Sequence, residues 1–133
     1  GTGSGYQAAV LAELAGQVYS IERIRSLYEK ATKVLGELHY NIFLRCADGT
    51  LGWQEAAPFD AILVAAAAPQ IPTLLIGQLK VGGQLIIPVG NRTTQVLQRV
   101  IKQEGQPIIQ TLTPCTFVPL LGKWGWQHEG VAP

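Results

Sequence analysis

Only two cysteines occur in 133 residues, Cys46 and Cys115, and they lie far apart. That excludes a disulfide scaffold and a CxxC zinc arrangement, and each thiol is expected to be a small buried hydrophobe. Charge is equally sparse: 14% of residues, ten Lys and Arg against nine Asp and Glu, for a net charge of +1. No basic block is present to attract a phosphate backbone, so a nucleic acid partner is not expected. No charged leader precedes an apolar segment, and no apolar run reaches about 18 residues, so neither export nor membrane spanning is indicated. His39 and His128 stand apart from each other and from any Ser or Cys nucleophile motif. No metal site and no histidine-assisted nucleophile is therefore expected.

What is present is a globular composition, 47% hydrophobic with a mean hydropathy of +0.20, enough for one domain over residues 1–133. The sequence opens on Gly1-Thr2-Gly3-Ser4-Gly5-Tyr6, a glycine-rich turn running into a helical pattern. Missing side chains let a nucleotide-like ligand reach bare backbone at a helix N-terminus, where the amides favour negative charge. The spacing differs from the dinucleotide fingerprint, because Tyr6 stands where its last glycine is expected, and no Gly-Lys-Ser or Gly-Lys-Thr makes a P-loop. In a Rossmann-type unit such a turn follows an apolar strand, so the sequence is expected to be truncated before the first strand.

Helix-forming residues with Val10, Leu11 and Leu14 as an apolar side predict a helix over 5–15, with Gly16 as its C-cap. Val18 to Ile21 predicts a short parallel strand ending at Glu22, and Ile24, Leu27, Tyr28, Ala31, Val34, Leu35 and Leu38 a second helix. Further strands are predicted over 41–46, 61–64 and 84–89, with a short helix over 73–79 after Pro69 and Pro72, and with Gly82-Gly83 as a reset. From residue 91 to 133 the pattern changes to antiparallel strands, over 95–102 and 108–118, and a terminal tail. A doubly wound α/β domain, with a mixed sheet, helices on both faces and an antiparallel edge, buries all these segments.

Glu22 ends its strand about twenty residues after the glycines, where a carboxylate can accept hydrogen bonds from ribose hydroxyls. It equally suits the start of the following helix, and the two roles are compatible. Asp48 follows the third segment and either accepts from an adenine amino group or forms an Asx turn beside Gly49. Asp60 precedes its strand and is expected to position the Pro58-Phe59 turn. Ala65 to Pro69 leaves the carboxyl end of that strand with small side chains, which make room near a ligand crevice but offer no nucleophile. Trp53 is expected to pack the loop after Asp48, and Trp124 and Trp126 to anchor the terminal segment.

With these residues in place, the chain resembles the protein-L-isoaspartate O-methyltransferase family over nearly its whole length. The resemblance rests on residues 1–9, Val18-Tyr19-Ser20-Ile21-Glu22-Arg23, Pro58 to Ile62, Ala66-Ala67-Ala68-Pro69, Leu79 to Gly83, Ile87-Pro88-Val89-Gly90 and Phe117-Val118-Pro119-Leu120. It implies a Rossmann-like class I methyltransferase fold that uses S-adenosyl-L-methionine to methylate the carboxylate of L-isoaspartyl residues in damaged proteins, a repair reaction. Carried onto this sequence, Gly1, Thr2, Gly3, Ser4, Gly5, Tyr6, Glu22, Arg23, Asp48 and Gly49 would bind the cofactor. Ala66, Ala67, Ala68 and Pro69 would lie near the substrate, with no metal and no assigned catalytic side chain.

The resemblance also implies an N-terminal segment with a substrate-contacting hydroxyl, absent from these residues, and places Ala65 where the family often has threonine. A cytoplasmic, monomeric full-length protein is implied, while an unfilled strand edge would favour association of the shorter chain. Two other readings remain open: a methyltransferase with a different acceptor, and a catalytically inactive remnant that binds proteins through Trp124 and Trp126.

Overall fold

The computed structural model describes residues 1–127, which leaves His128 outside the described residues. The chain divides into two compact units, residues 1–49 and the residues from Thr50 onward.

The first unit alternates helix α1 (Tyr6–Leu14), strand β1 (Tyr19–Glu22), helix α2 (Arg25–Glu37) and strand β2 (Phe43–Cys46). β1 and β2 pair in parallel from Tyr19 opposite Phe43 to Glu22 opposite Cys46, the arrangement that a helical crossover permits. The aromatic pair at the start of this ladder stacks with its ring centroids 4.7 Å apart. Of the apolar face expected on α2, Ala31 and Leu35 are buried and Leu27 and Tyr28 half-buried, whereas Ile24, Val34 and Leu38 are exposed. The helix stops because His39 turns left-handed, at φ 62, and Tyr40 N–H returns to the Leu35 carbonyl at 2.9 Å. α1 buries Ala8, whereas Val10 and Leu14 of its expected apolar side are exposed.

The second unit carries strand β3 (Phe59–Leu63), helix α3 (Thr73–Gly77) and strands β4 (Leu79–Gly90), β5 (Gln95–Ile101) and β6 (Ile108–Cys115). They form one mixed sheet in the order β3-β4-β5-β6, with β3 and β4 parallel and the later pairs antiparallel. Its core is built around Leu75, Leu79, Leu85, Ile87 and Val100, joined by the small residues Ala66 and Ala68 and by Leu120.

Several boundaries differ from the sequence pattern for identifiable reasons. β4 starts at Leu79, before the expected reset, because Gly82 N–H donates to Lys102 O and Lys102 N–H to Gly83 O, which draws both glycines into the sheet. α3 is correspondingly shorter and ends at Gly77. β6 ends at Cys115 rather than 118, because Cys115 pairs with Gln95, where β5 begins, and the ladder has no further partner. The expectation of buried cysteines is also corrected: Cys46 and Cys115 are half-buried free thiols, each the last residue of its strand, where cover from the sheet runs out. Asp60 forms an exposed ion pair with Lys80 at 3.1 Å, a contact of the type that contributes little to stability. No helix among the described residues is long and apolar enough to cross a membrane.

Candidate functional site

In the first unit the opening glycine turn is fastened to the end of β1. Thr2 N–H donates to the Ile21 carbonyl at 3.1 Å, and the Thr2 and Ser20 hydroxyls meet at 2.6 Å. Gly3 N–H then donates to one carboxylate oxygen of Glu22, and Ile24 N–H to the other, both at 2.9 Å. Glu22 thus ties the turn before α1 to the entry of α2, combining the ligand-edge position and the helix-start role that sequence left open.

Glu22 is only 5% exposed. Burial by itself raises its carboxyl, but the amides of Ile24, Gly3 and Arg23 stabilise the charged form, and the net effect holds it below the ordinary glutamate value. An ionised carboxylate offers about four lone-pair directions, so two backbone bonds leave acceptor capacity at each oxygen.

Two glycines make the turn possible. Gly3 has φ 56 and Gly5, the N-cap of α1, has φ 91, both in the left-handed region that L side chains disfavour. A Cβ on Gly5 would stand 3.3 Å from Leu35, whereas one on Gly3 would meet nothing within 4 Å. The bare backbone at Gly3 therefore borders open space and can be approached by a ligand. Ser4 and Tyr6 are exposed, with Ser4 Oγ 3.4 Å from Tyr6 N–H. Arg23 is exposed, and its carbonyl lies 3.8 Å from Cys46 Sγ.

At the end of β2, Ala47 N–H donates to Glu22 O at 3.0 Å, which brings Asp48 and Gly49 next in sequence to the carboxyl end of β1. Gly49 likewise has nothing within 4 Å of its Cβ direction. The first unit therefore gathers the glycine turn, Glu22, Arg23, Asp48 and Gly49 around the carboxyl ends of two parallel strands, the usual ligand edge of such sheets. A cavity of about 280 Å³ lies elsewhere in this unit, lined by Glu13, Val18, His39, Tyr40 and Asn41 among others. Val18 and Asn41 precede β1 and β2, so this hollow is at the amino ends of the strands and includes none of the predicted site residues.

The remaining predicted residues belong to the second unit. Ala66, Ala67 and Ala68 are buried, and Pro69 is exposed. Their small side chains pack into the core rather than leaving open room, while their backbone continues beyond β3 as an extended segment. Ala68 bridges Val89 on one side, and Ala67 bridges Pro119 on the other.

Two residues shape this unit through buried hydrogen bonds: Gln78, which had no signal in the sequence, and Trp126, one of the two expected anchors. Gln78, 2% exposed, accepts from Trp53 N–H and donates to Leu51 O, both at 2.9 Å, and so shapes the loop that Trp53 was expected to pack. Trp126 is buried and donates from its indole to Ala67 O at 3.0 Å, while Trp124 is 47% exposed. Of the two tryptophans expected to anchor the terminal segment, Trp126 has its ring in the interior. No group of three or more potential metal ligands occurs among the described residues.

The family model for protein-L-isoaspartate(D-aspartate) O-methyltransferase matches residues 1–125. A protein-L-isoaspartate O-methyltransferase of Geobacter metallireducens is 56% identical over 131 residues, covering 97% of this chain and 61% of its own length. The chain thus spans about three fifths of the curated relatives it matches. Among solved structures, a protein-L-isoaspartate O-methyltransferase superposes with a TM-score of 0.86 at 30% identity, over 94% of this chain and 41% of that one. A Plasmodium falciparum protein assigned to the same activity, in complex with S-adenosyl-L-homocysteine, gives 0.73 at 28% identity, over 91% and 63%. Helix and strand alternation, the mixed sheet and these neighbours define a Rossmann-like class I methyltransferase fold, and the chain belongs to the protein-L-isoaspartate(D-aspartate) O-methyltransferase family.

Proposed function

We propose that the full-length protein carrying this chain transfers a methyl group from S-adenosyl-L-methionine to the carboxylate of L-isoaspartyl residues in damaged proteins. The observation that carries this reading is the Glu22 clamp: one buried carboxylate fixes the glycine turn through Gly3 while keeping acceptor capacity at the ligand edge. The donor set fits the cofactor. Open space at Gly3 and Gly49 admits a flat, polar ligand against backbone, and Glu22 can take ribose hydroxyls.

S-adenosyl-L-methionine supplies an electrophilic methyl group when bound. Around it, the 1–6 turn would border the methionine and ribose portions, with Glu22 and Arg23 at the ribose and Asp48 and Gly49 at the adenine. Ala66 to Pro69 would border the acceptor side. An ionised carboxylate acceptor is already a nucleophile, so the chain's task is positioning and exclusion of water, with no covalent intermediate and no side-chain base. A cytoplasmic, monomeric protein acting on damaged polypeptides, without nucleic acid or membrane partners, is part of the same reading.

The test is methyl transfer by the full-length protein to an isoaspartyl peptide, with the matching aspartyl peptide as control. A base-labile methyl ester on the isoaspartyl peptide alone is expected. Equal labelling of both peptides, or transfer only to other acceptors, would defeat the assignment. Calorimetric titration with S-adenosyl-L-homocysteine tests the cofactor site separately, and Glu22→Ala should abolish saturable binding.

A further inference from the structure

The loop after β3 is held by an unusual convergence on one peptide group. Ala67 N–H donates to Val118 O at 2.7 Å, and Ala67 O accepts from Leu120 N–H at 2.8 Å and from the Trp126 indole at 3.0 Å. Both lone pairs of that carbonyl are used, one of them by a side chain 59 residues away. Trp126 is placed by its own backbone: its N–H donates to Leu120 O at 2.8 Å, and its carbonyl accepts from Gly122 N–H at 3.1 Å. The Arg92 guanidinium covers the ring, 4.8 Å from its centroid. The segment from Val118 to Trp126 is therefore a closed clasp with its indole aimed at a single buried acceptor.

We infer that Trp126 is a positioning residue for the acceptor-side loop, fixing the Ala67 peptide and through it Ala65 and Pro69 on either side of the buried alanines. The inference rests on the proposed methyltransferase reading, in which that loop borders the acceptor. Trp126 falls just past residue 125, the last that the family model matches. The alanines at 66–68 are buried, but a methyl side chain carries little shape to fix the orientation of its peptide, so the hydrogen bonds on Ala67 set the course of the backbone. A nearby tryptophan supplies the contrast: Trp124 is half exposed and faces Lys123.

The experiment compares Trp126→Phe with Trp124→Phe in the full-length protein. Phenylalanine keeps a ring in the interior and removes the indole donor. Amide hydrogen exchange at Ala67 and Leu120 should accelerate about three- to tenfold in Trp126→Phe and stay unchanged in Trp124→Phe. With an isoaspartyl peptide as acceptor, KM for the peptide should rise about three- to tenfold while affinity for S-adenosyl-L-homocysteine stays constant. Unchanged exchange at both amides in Trp126→Phe would overturn the inference. So would an equal loss of cofactor affinity and peptide KM, which would mark a general packing role. If exchange accelerates but the unmodified protein transfers no methyl to the isoaspartyl peptide, the clasp stands and the acceptor assignment falls.

Discussion

Gly3 and Glu22, nineteen residues apart, are joined by a 2.9 Å hydrogen bond from backbone amide to carboxylate. The second carboxylate oxygen takes Ile24 N–H at the same distance, so a single side chain sets both the turn before α1 and the entry to α2. A carboxylate satisfies two inward-pointing donors in a way no neutral side chain of the same size does.

Glu22→Gln tests that point directly. Its amide nitrogen would face one of the two backbone donors, leaving that buried N–H without an acceptor. A loss of about 1–3 kcal/mol in unfolding free energy is expected from urea denaturation. No change in midpoint or slope would show that the turn is held by other contacts.

The pH dependence follows from the same group. Its folded-state carboxyl lies below the ordinary value of about 4.3, because backbone donors favour the charged form over the opposing effect of burial. The stability it contributes is fully present above that ordinary value and is lost as the pH falls through the lower folded value. The stability gap between the unmodified protein and Glu22→Gln should therefore shrink on acidification below about pH 4.3. A gap that widens there would contradict the direction of the shift.

Gly5→Ala should destabilise the first unit by about 1–3 kcal/mol, since the position requires a left-handed backbone. The added methyl would also press on Leu35, 3.3 Å away. Thermal unfolding by circular dichroism measures the loss. Gly49→Ala has open space at the Cβ direction and serves as the tolerated comparison.

Gln78→Leu should cost about 1–3 kcal/mol although it fills nearly the same volume, because the Trp53 amide and the Leu51 carbonyl both lose their side-chain partner. Tryptophan fluorescence during chemical denaturation reads the effect. An unaltered transition would mean that water replaces the glutamine without penalty.

The alternation of helix and strand, the parallel segments before residue 64 and the antiparallel pattern after residue 95 were all legible in sequence, because periodicity and glycine or proline breaks act locally. The glycine turn and Glu22 were legible for the same reason: their spacing places them at the carboxyl end of a strand. Strand ends were less so. The extension of β4 back to Leu79 depends on Lys102, and the end of β6 depends on where β5 starts, and neither partner is near in sequence.

By itself, then, the sequence determined the element types, the position of the candidate cofactor edge and the family resemblance, all carried by short-range pattern and motif. Tertiary structure alone decided that each Glu22 oxygen accepts one backbone amide, that Gln78 organises the 51–54 loop and that Trp126 grips Ala67. Hydrogen-bond partners buried away from water must be satisfied by whatever group the fold brings near, and that choice is made by three-dimensional proximity between residues that local pattern leaves unrelated.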